Sequence, residues 1–321
     1  MKKVTKKTAL VTGGAGFLGS HLCDALIKKG FRVWCVDNLV TGSKNNIINL
    51  IGKEYFDFLE HDTTKPFSDK ETKNLKNLDY IFNLASPASP VDYELLPEET
   101  ALVNSVGITN MLKLAIKTKA RFLQASTSEV YGDPLEHPQK ETYWGNVNSF
   151  GARSCYKESK RFAETMVYIY LHKYKVNARL IRIFNTYGPR MRKNDGRVIS
   201  NFLNQAYDGK PITVYGNGSQ TRSFCFVSDL VDGICKAMFS NNTKGEIFNL
   251  GNPDEYTILE IAEKIKRLVG SKSKITLNPL PDDECMRRKP DITKAKKILG
   301  WEPKIALEEG LKATIEYYKS S

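Results

Sequence analysis

Tyr156 and Lys160 stand four residues apart in the stretch Arg153-Ser-Cys-Tyr-Lys-Glu-Ser-Lys-Arg161, which reads as the opening of a helix. Residues at that spacing lie one above the other on a helix face, so the phenol and the ammonium point the same way. A tyrosine with its usual pKa of about 10 is a poor base at neutral pH. An ammonium a few ångströms away favours the phenolate and brings it into working range, so Tyr156 is a candidate to take a proton from a substrate alcohol. The same pair also suits a solvated helix face, and the rest of the chain has to decide between the two uses.

The elements that would position the pair are legible upstream. Thr8–Thr12 is a short apolar strand, followed at once by Gly13-Gly-Ala-Gly16-Phe-Leu-Gly19 and a helix running to Gly30. Glycines in this GxxGxxG spacing allow a tight turn, a close backbone approach to a pyrophosphate and close seating of the helix, whose positive N-terminus then faces the phosphates. The next strand, Phe31–Val36, ends in Asp37-Asn38, at the distance where an acid binds the ribose hydroxyls of a dinucleotide. An aspartate there repels a 2′-phosphate, which favours NAD over NADP. A strand-to-helix turn that merely needs glycine is the plainer alternative.

Further strands alternate with helices: Tyr55–Glu60 into His61-Asp62, Asp79–Leu84 into Ala85-Ser-Pro-Ala-Ser-Pro90, a long helix over Glu98–Lys117, the strand Arg121–Ser126, and Val176–Phe184 after the tyrosine helix. This alternation predicts an α/β fold, a Rossmann-like doubly wound parallel sheet, with ligands at the C-terminal ends of its strands. At one such end, Ser126-Thr127-Ser128-Glu129 offers hydroxyls and a carboxylate to a sugar beside Tyr156. A helix cap is the other use of those residues. His61 reads as a loop histidine without a catalytic partner.

The 321-residue chain carries a formal charge of +12, yet its lysines are spread over surface-like helices with no arginine stripe interleaved with aromatics, so nucleic-acid binding is not expected. No apolar run approaches the ~18 residues of a membrane span. The basic opening Met1–Thr8 precedes too short an apolar stretch for a signal peptide, and a cytoplasmic location is expected. Cys23, Cys35, Cys155, Cys225, Cys235 and Cys285 form no CxxC pair and sit mostly in apolar runs. They read as buried free thiols, with neither disulfides nor a metal site.

Together these residues carry a resemblance. Gly13–Gly19, Asp37-Asn38, Leu84-Ala-Ser-Pro-Ala-Ser-Pro, Ala125-Ser-Thr-Ser-Glu-Val-Tyr-Gly-Asp-Pro and Tyr156-xxx-Lys160 resemble the extended short-chain dehydrogenase/reductases, the NAD-dependent epimerase/dehydratase family, that act on nucleotide sugars. Tyr143–Asn148, Arg182–Met191, Asn194–Phe202, Val214–Arg222 and Arg287–Lys296 are similar to the UDP-glucuronate decarboxylases (UDP-xylose synthases) among them. The likeness runs over nearly the whole chain.

The resemblance implies an NAD-binding domain over residues 1–180, with later returns to its sheet near 223–250, and a smaller, interleaved substrate domain made mostly of residues 181–321. It implies cofactor contacts at Gly13, Gly16, Phe17, Leu18 and Gly19, at Asp37, Asn38, Thr41, Gly42 and Asp62, at Leu84, Ala85, Ser86 and Asn104, and at Tyr156 and Lys160. Tyr156, aided by Lys160 and Thr127, would remove the C4 hydroxyl proton of UDP-glucuronate while hydride passes to NAD. The β-keto acid so formed would lose carbon dioxide, its electrons held by the ketone oxygen beside Tyr156 and Thr127. Protonation at C5 and return of hydride would give UDP-xylose. Glu129 and Arg288 match the acid/base pair of the group and Ser128 a substrate contact. Tyr93 and Arg153 match positions near the sugar, Asn185 and Val198 positions along the nucleotide, and Arg222 a diphosphate partner. Helices around Asn104–Lys117 and Tyr156–Lys173 are those that pair in a homodimeric four-helix bundle.

One position departs from the pattern: Leu102 stands where a lysine is usual. That keeps a nucleotide-sugar 4,6-dehydratase in view, with Glu129 as its base at C5. A C4 epimerase has no need of the Glu129 carboxylate. A non-catalytic NAD(H) sensor needs only the glycine turn and Asp37, and leaves Thr127, Tyr156 and Lys160 without a purpose.

Overall fold

Apolar runs too short for helices and closed by glycine, asparagine or aspartate become strands. The computed structural model of the chain describes residues 6–75, 77–280 and 285–320. The first five residues, where the basic opening begins, lie outside them. In chain order the strands are β1 (Thr8–Thr12), β2 (Arg32–Asp37), β3 (Phe56–Glu60), β4 (Tyr80–Asn83), β5 (Arg121–Thr127) and β6 (Ala178–Ile183), joined by β7 (Ile247–Leu250) from much later in the sequence. They form one seven-stranded sheet in the order β7-β6-β5-β4-β1-β2-β3, parallel throughout. The order reverses at β1, which has β4 on one side and β2 on the other. An open α/β sheet leaves a crevice beyond the C-terminal ends of its strands at such a point.

Helices cover both faces. Leu22, Cys23 and Leu26 of α1 (Phe17–Lys28) share one buried cluster with Leu230, Val231 and Ile234 of Val227–Phe239 and with Trp301. On the other face, α2 (Ile108–Thr118) and α3 (Ser154–Lys173) bury Met111, Leu112, Ala163, Val167 and Tyr170. The buried stripe of α3 begins with Tyr156, Lys157 and Lys160 before it turns apolar at Ala163. A helix docked by ordinary hydrophobic burial thus carries its polar first turns to the end of β5. A third cluster packs α4 (Val198–Tyr207), α5 (Ile258–Val269) and α6 (Leu307–Ser320) together.

Two expectations need correction. Only Ile247–Leu250 returns to the main sheet. Thr221–Ser223 pairs instead with Glu255–Thr257 and Arg287–Arg288, and Cys225–Phe226 with Thr186–Tyr187. The apolar run there has two residues left before Val227 starts a helix, too few to cross a sheet, and the N–H of Cys225 is already spent on the Asn185 carbonyl. The helix expected over Glu98–Lys117 is interrupted: Pro97–Leu102 passes through a π-turn at Val103–Gly107 into α2. The six cysteines are free, all buried except the half-buried Cys155. Among the described residues no helix is long and apolar enough to cross a membrane.

Candidate active site

The C-terminal ends of β1, β2, β4, β5 and β6 open into one cleft of about 380 Å³. At one end lie the glycine turn and Asp37, at the other Tyr156, Glu129 and Arg288. Gly13 sits at φ +67°, and a Cβ on Gly19 would fall 2.0 Å from the Gly13 carbonyl oxygen. The turn therefore folds tightly against the start of α1, whose first turn has neither a side-chain cap nor an acidic residue. Its N–H groups face the cleft as a site for an anion. At the tip of β2 the Asp37 carboxylate accepts the N–H of Ala15 (3.0 Å) and of Leu39 (2.8 Å), and burial raises its pKa despite those bonds. A Cβ on Gly42 would lie 2.7 Å from Asp37 Oδ1, so that glycine makes room for the acid. A pyrophosphate cradle, an acid beyond it, and the Leu84-Ala85-Ser86 wall leading to Tyr156 suit a dinucleotide lying along the cleft.

At the chemical end Tyr156 is 5% exposed. Its ring stacks on Tyr93, centroids 4.9 Å apart and planes within 9°, and its hydroxyl hydrogen-bonds with that of Thr127. Thr127 also caps the short 3-10 helix Ser128–Tyr131 by accepting the N–H of Glu129 (3.2 Å). The cap expected as one use of Ser-Thr-Ser-Glu is present, and the residue that caps is the one that meets Tyr156. Arg288 Nη1 approaches Glu129 Oε1 to 3.7 Å, and Nη2 donates to the Gly132 carbonyl (3.3 Å). Glu129 Oε2 is buried with no hydrogen-bond partner.

The electrostatics differ from the simple picture of an ammonium beside a phenol. Burial pushes Lys160 down to about 7, with Glu164 partly opposing it. Its Nζ donates to the Ala125 carbonyl (3.1 Å) and lies 5.8 Å from the centre of the Tyr156 ring. Tyr156 is pushed up to about 12 by burial and then by the Glu129 charge, against the Thr127 hydrogen bond and the cations Arg197 and Arg288. The cations that favour the phenolate here are Arg197 and Arg288. Burial alone would lower Arg197, but Asp195, Tyr156, Glu129 and Asp92 together raise it.

Of the residues singled out from sequence, the cleft gathers Gly13, Gly16, Phe17, Leu18, Gly19, Asp37, Asn38, Thr41, Asp62, Leu84, Ala85, Ser86, Thr127, Ser128, Glu129, Tyr156, Lys160, Asn185 and Arg288. Others stand behind its wall. Asn104, in the π-turn, donates to Ser86 Oγ (3.0 Å), the Thr100 carbonyl and Ser159 Oγ, fixing a cleft loop to α3. Tyr93 backs Tyr156, and Arg153 lies 3.7 Å from Glu94 at the start of α3. Val198 opens α4, and Arg222 pairs in register with Arg288 on the neighbouring short strand. Three cleft arginines carried no expectation. Arg190 pairs with Asp24 (2.7 Å), Arg192 with Asp92, and Arg197 donates to the Ala88 carbonyl (2.6 Å). They bind the 190–197 segment across the cleft to the glycine-turn half. Their signal was three arginines in one short stretch, and nothing local says what such residues face.

The sequence profile of the family described as GDP-mannose 4,6 dehydratase matches residues 10–314. UDP-glucuronic acid decarboxylase 1 of Danio rerio is 53% identical over 98% of this chain and 73% of its own length. UDP-glucuronic acid decarboxylase 4 of Arabidopsis thaliana is 51% identical over 97% and 68%. Among solved structures, UDP-glucuronic acid 4-epimerase of Bacillus cereus, in complex with UDP-glucuronic acid and NAD, superimposes with a TM-score of 0.89 at 28% identity, covering 98% of this chain and 99% of that one. A profile that spans the glycine turn, the tyrosine helix and the Arg288 strand alike leaves no part of the site outside the likeness. The chain is an extended short-chain dehydrogenase/reductase of the GDP-mannose 4,6-dehydratase family, and it belongs with the UDP-glucuronic acid decarboxylases.

Proposed function

We propose that this enzyme converts UDP-glucuronate to UDP-xylose and carbon dioxide through a 4-keto sugar. When bound along the cleft, NAD supplies an acceptor for the C4 hydride and a donor for its return. The observation that carries the reading is the Glu129–Arg288 pair at the Tyr156 end of the cleft. A C4 epimerase protonates no carbon at C5 and needs no acid there, whereas a decarboxylase needs a proton for C5 as well as a cation for the carboxylate.

Tyr156 takes the proton of the C4 hydroxyl and Thr127 holds the same oxygen. In the resulting β-keto acid the C5–carboxylate bond breaks, carbon dioxide leaves, and the electron pair moves into the C4 oxygen, which the two hydroxyls stabilise. Glu129 then delivers a proton to C5 and is reprotonated from solvent, while Tyr156 returns its proton to the C4 oxygen. The two groups are coupled. The Glu129 charge holds the proton on Tyr156, so a Glu129 protonated for its role at C5 leaves Tyr156 the better base. Leu102 lines the cleft where the related pattern has a lysine, and Arg288 takes over as the cation for the carboxylate, beside Arg197.

Exposed Leu102, Val106, Ile116, Phe162, Tyr168 and Ile169 lie on the segments around α2 and α3. This much apolar surface on neighbouring helices supports a homodimer closed by a four-helix bundle. Sedimentation of the purified protein should give twice the monomer mass, and Tyr168→Glu with Phe162→Glu should return it to the monomer. A wild-type monomer at micromolar concentration would rule the bundle out.

Incubation with UDP-glucuronate and NAD should release carbon dioxide and yield a UDP-pentose by mass. A nucleotide-linked 4-keto-6-deoxy hexose, formed from a neutral hexose substrate instead, would make the enzyme a dehydratase. Tyr156→Phe should lower turnover roughly a hundred- to ten-thousand-fold, the usual worth of a general acid–base group, with UDP affinity retained. The proton affinity of Tyr156 is checked by the ultraviolet absorbance of its phenolate, each variant being compared with its own Tyr156→Phe background. Glu129→Gln removes a charge that raises the pKa, so ionisation should move to lower pH. Thr127→Val removes a hydrogen bond that lowers it and should move ionisation higher. Shifts of the same sign would contradict this balance.

A further inference from the structure

Buried polar side chains around β5, β6 and β7 form an unbroken run of hydrogen bonds that ends at the backbone next to Arg288. Ser126 Oγ donates to Glu164 Oε1 (2.6 Å). Arg182 makes a two-pronged pair with Glu164 (2.9 and 2.7 Å) and donates to the Tyr131 hydroxyl (2.9 Å). Tyr131 donates to Asn249 Oδ1 (2.8 Å), and Asn249 Nδ2 donates to the Gln139 carbonyl (2.9 Å). Gln139, fully buried, then grips the chain beyond Arg288. Its Oε1 accepts the N–H of Lys289 (2.8 Å), its own N–H donates to the Lys289 carbonyl (2.9 Å), and its carbonyl accepts the N–H of Asp291 (2.8 Å).

Glu164, Arg182, Tyr131, Asn249 and Gln139 do not line the cleft. What they hold is a segment that cannot hold itself. Arg288 sits on the two-residue strand Arg287–Arg288, whose one strand partner among the described residues is Thr221–Ser223, and so short a strand has little stability of its own. Its guanidinium nevertheless has to stand opposite Glu129.

We infer that Gln139 is a positioning residue for the reaction. Its side-chain carbonyl fixes Lys289 and so sets Arg288 against Glu129, while the Glu164–Arg182–Tyr131–Asn249 run ties that setting to the helix bearing Tyr156 and Lys160. The inference rests on the reading above, in which Arg288 acts after oxidation at C4. Its consequence is selective. Oxidation uses Tyr156 and Thr127, both mounted on β5 and α3. Loss of carbon dioxide and protonation at C5 use Arg288 and depend on Gln139.

The test compares wild type, Gln139→Ala and Gln139→Glu with UDP-glucuronate and NAD. Carbon dioxide release, the steady-state absorbance at 340 nm and UDP affinity are followed. Glutamate keeps an acceptor oxygen for Lys289 but loses the donor that Gln139 offers the Glu136 carbonyl. Gln139→Ala should lose about a hundredfold in carbon dioxide release, the cost of misplacing a reacting group by about an ångström. Absorbance at 340 nm should build up, UDP affinity should be unchanged, and Gln139→Glu should recover most of the rate. Tyr131→Phe, which cuts the run by one hydroxyl, should show the same imbalance in milder form and serves if Gln139→Ala does not fold. A wild type that releases no carbon dioxide overturns the reading and the inference with it. A wild type that does, beside variants whose two steps fall equally or do not fall, overturns the inference alone.

Discussion

The site depends on the approach of the Glu129 carboxylate to the Arg288 guanidinium, 3.7 Å apart, with side chains 18% and 8% exposed. At that distance the two attract without forming a hydrogen bond to each other, and Glu129 Oε2 stays buried without a hydrogen-bond partner. Taking both charges out of water costs more than a surface pair returns, and the framework therefore has to hold the pair. Glu129 is set by the end of β5 and the Thr127 cap. Arg288 comes from the far end of the chain on a two-residue strand, braced by the Gly132 carbonyl, by Thr221–Ser223 and by Gln139. The long crossings of the chain after β6 bring these two short segments to one place.

Tyr156 lies in the field of that pair. Burial and Glu129 tighten its proton, while Thr127, Arg197 and Arg288 loosen it. A proton on Glu129 removes one of the two influences that tighten the Tyr156 proton, so in the proposed mechanism the acid for C5 and the base for C4 work together. Lys160, brought down to about 7 by burial and turned to the Ala125 carbonyl, anchors the helix to β5 at the height of the reaction.

Local chemistry was readable from sequence; long-range placement was not. The glycine turn, the acid at the tip of β2 and the four-residue spacing of Tyr156 and Lys160 follow from contacts within one βα unit or one helix. Period and spacing suffice for those. Six strands of the main sheet followed from the alternation of elements; the seventh, Ile247–Leu250, was implied only by the resemblance, together with the apolar run at Ser223–Asp229, which pairs elsewhere. That run is strand-like, but nothing within it tells which sheet it joins. Gln139 gave no signal and Arg197 only that of one arginine among three in a short stretch, because a glutamine after a proline and an arginine near a glycine become functional only through what folding sets opposite them. The lowered pKa of Lys160 was out of reach for a related reason: spacing shows which way an ammonium points, and only the packed structure shows how little water reaches it.

The most direct measurement is the position of solvent hydrogen in the product. UDP-glucuronate is converted in deuterium oxide with NAD present, and the UDP-pentose is examined by proton NMR. The mechanism predicts one deuterium at C5, delivered through Glu129, and none at C4, where the hydrogen that left returns. Deuterium at C4, or a C5 that carries two protiums and no deuterium, would contradict it.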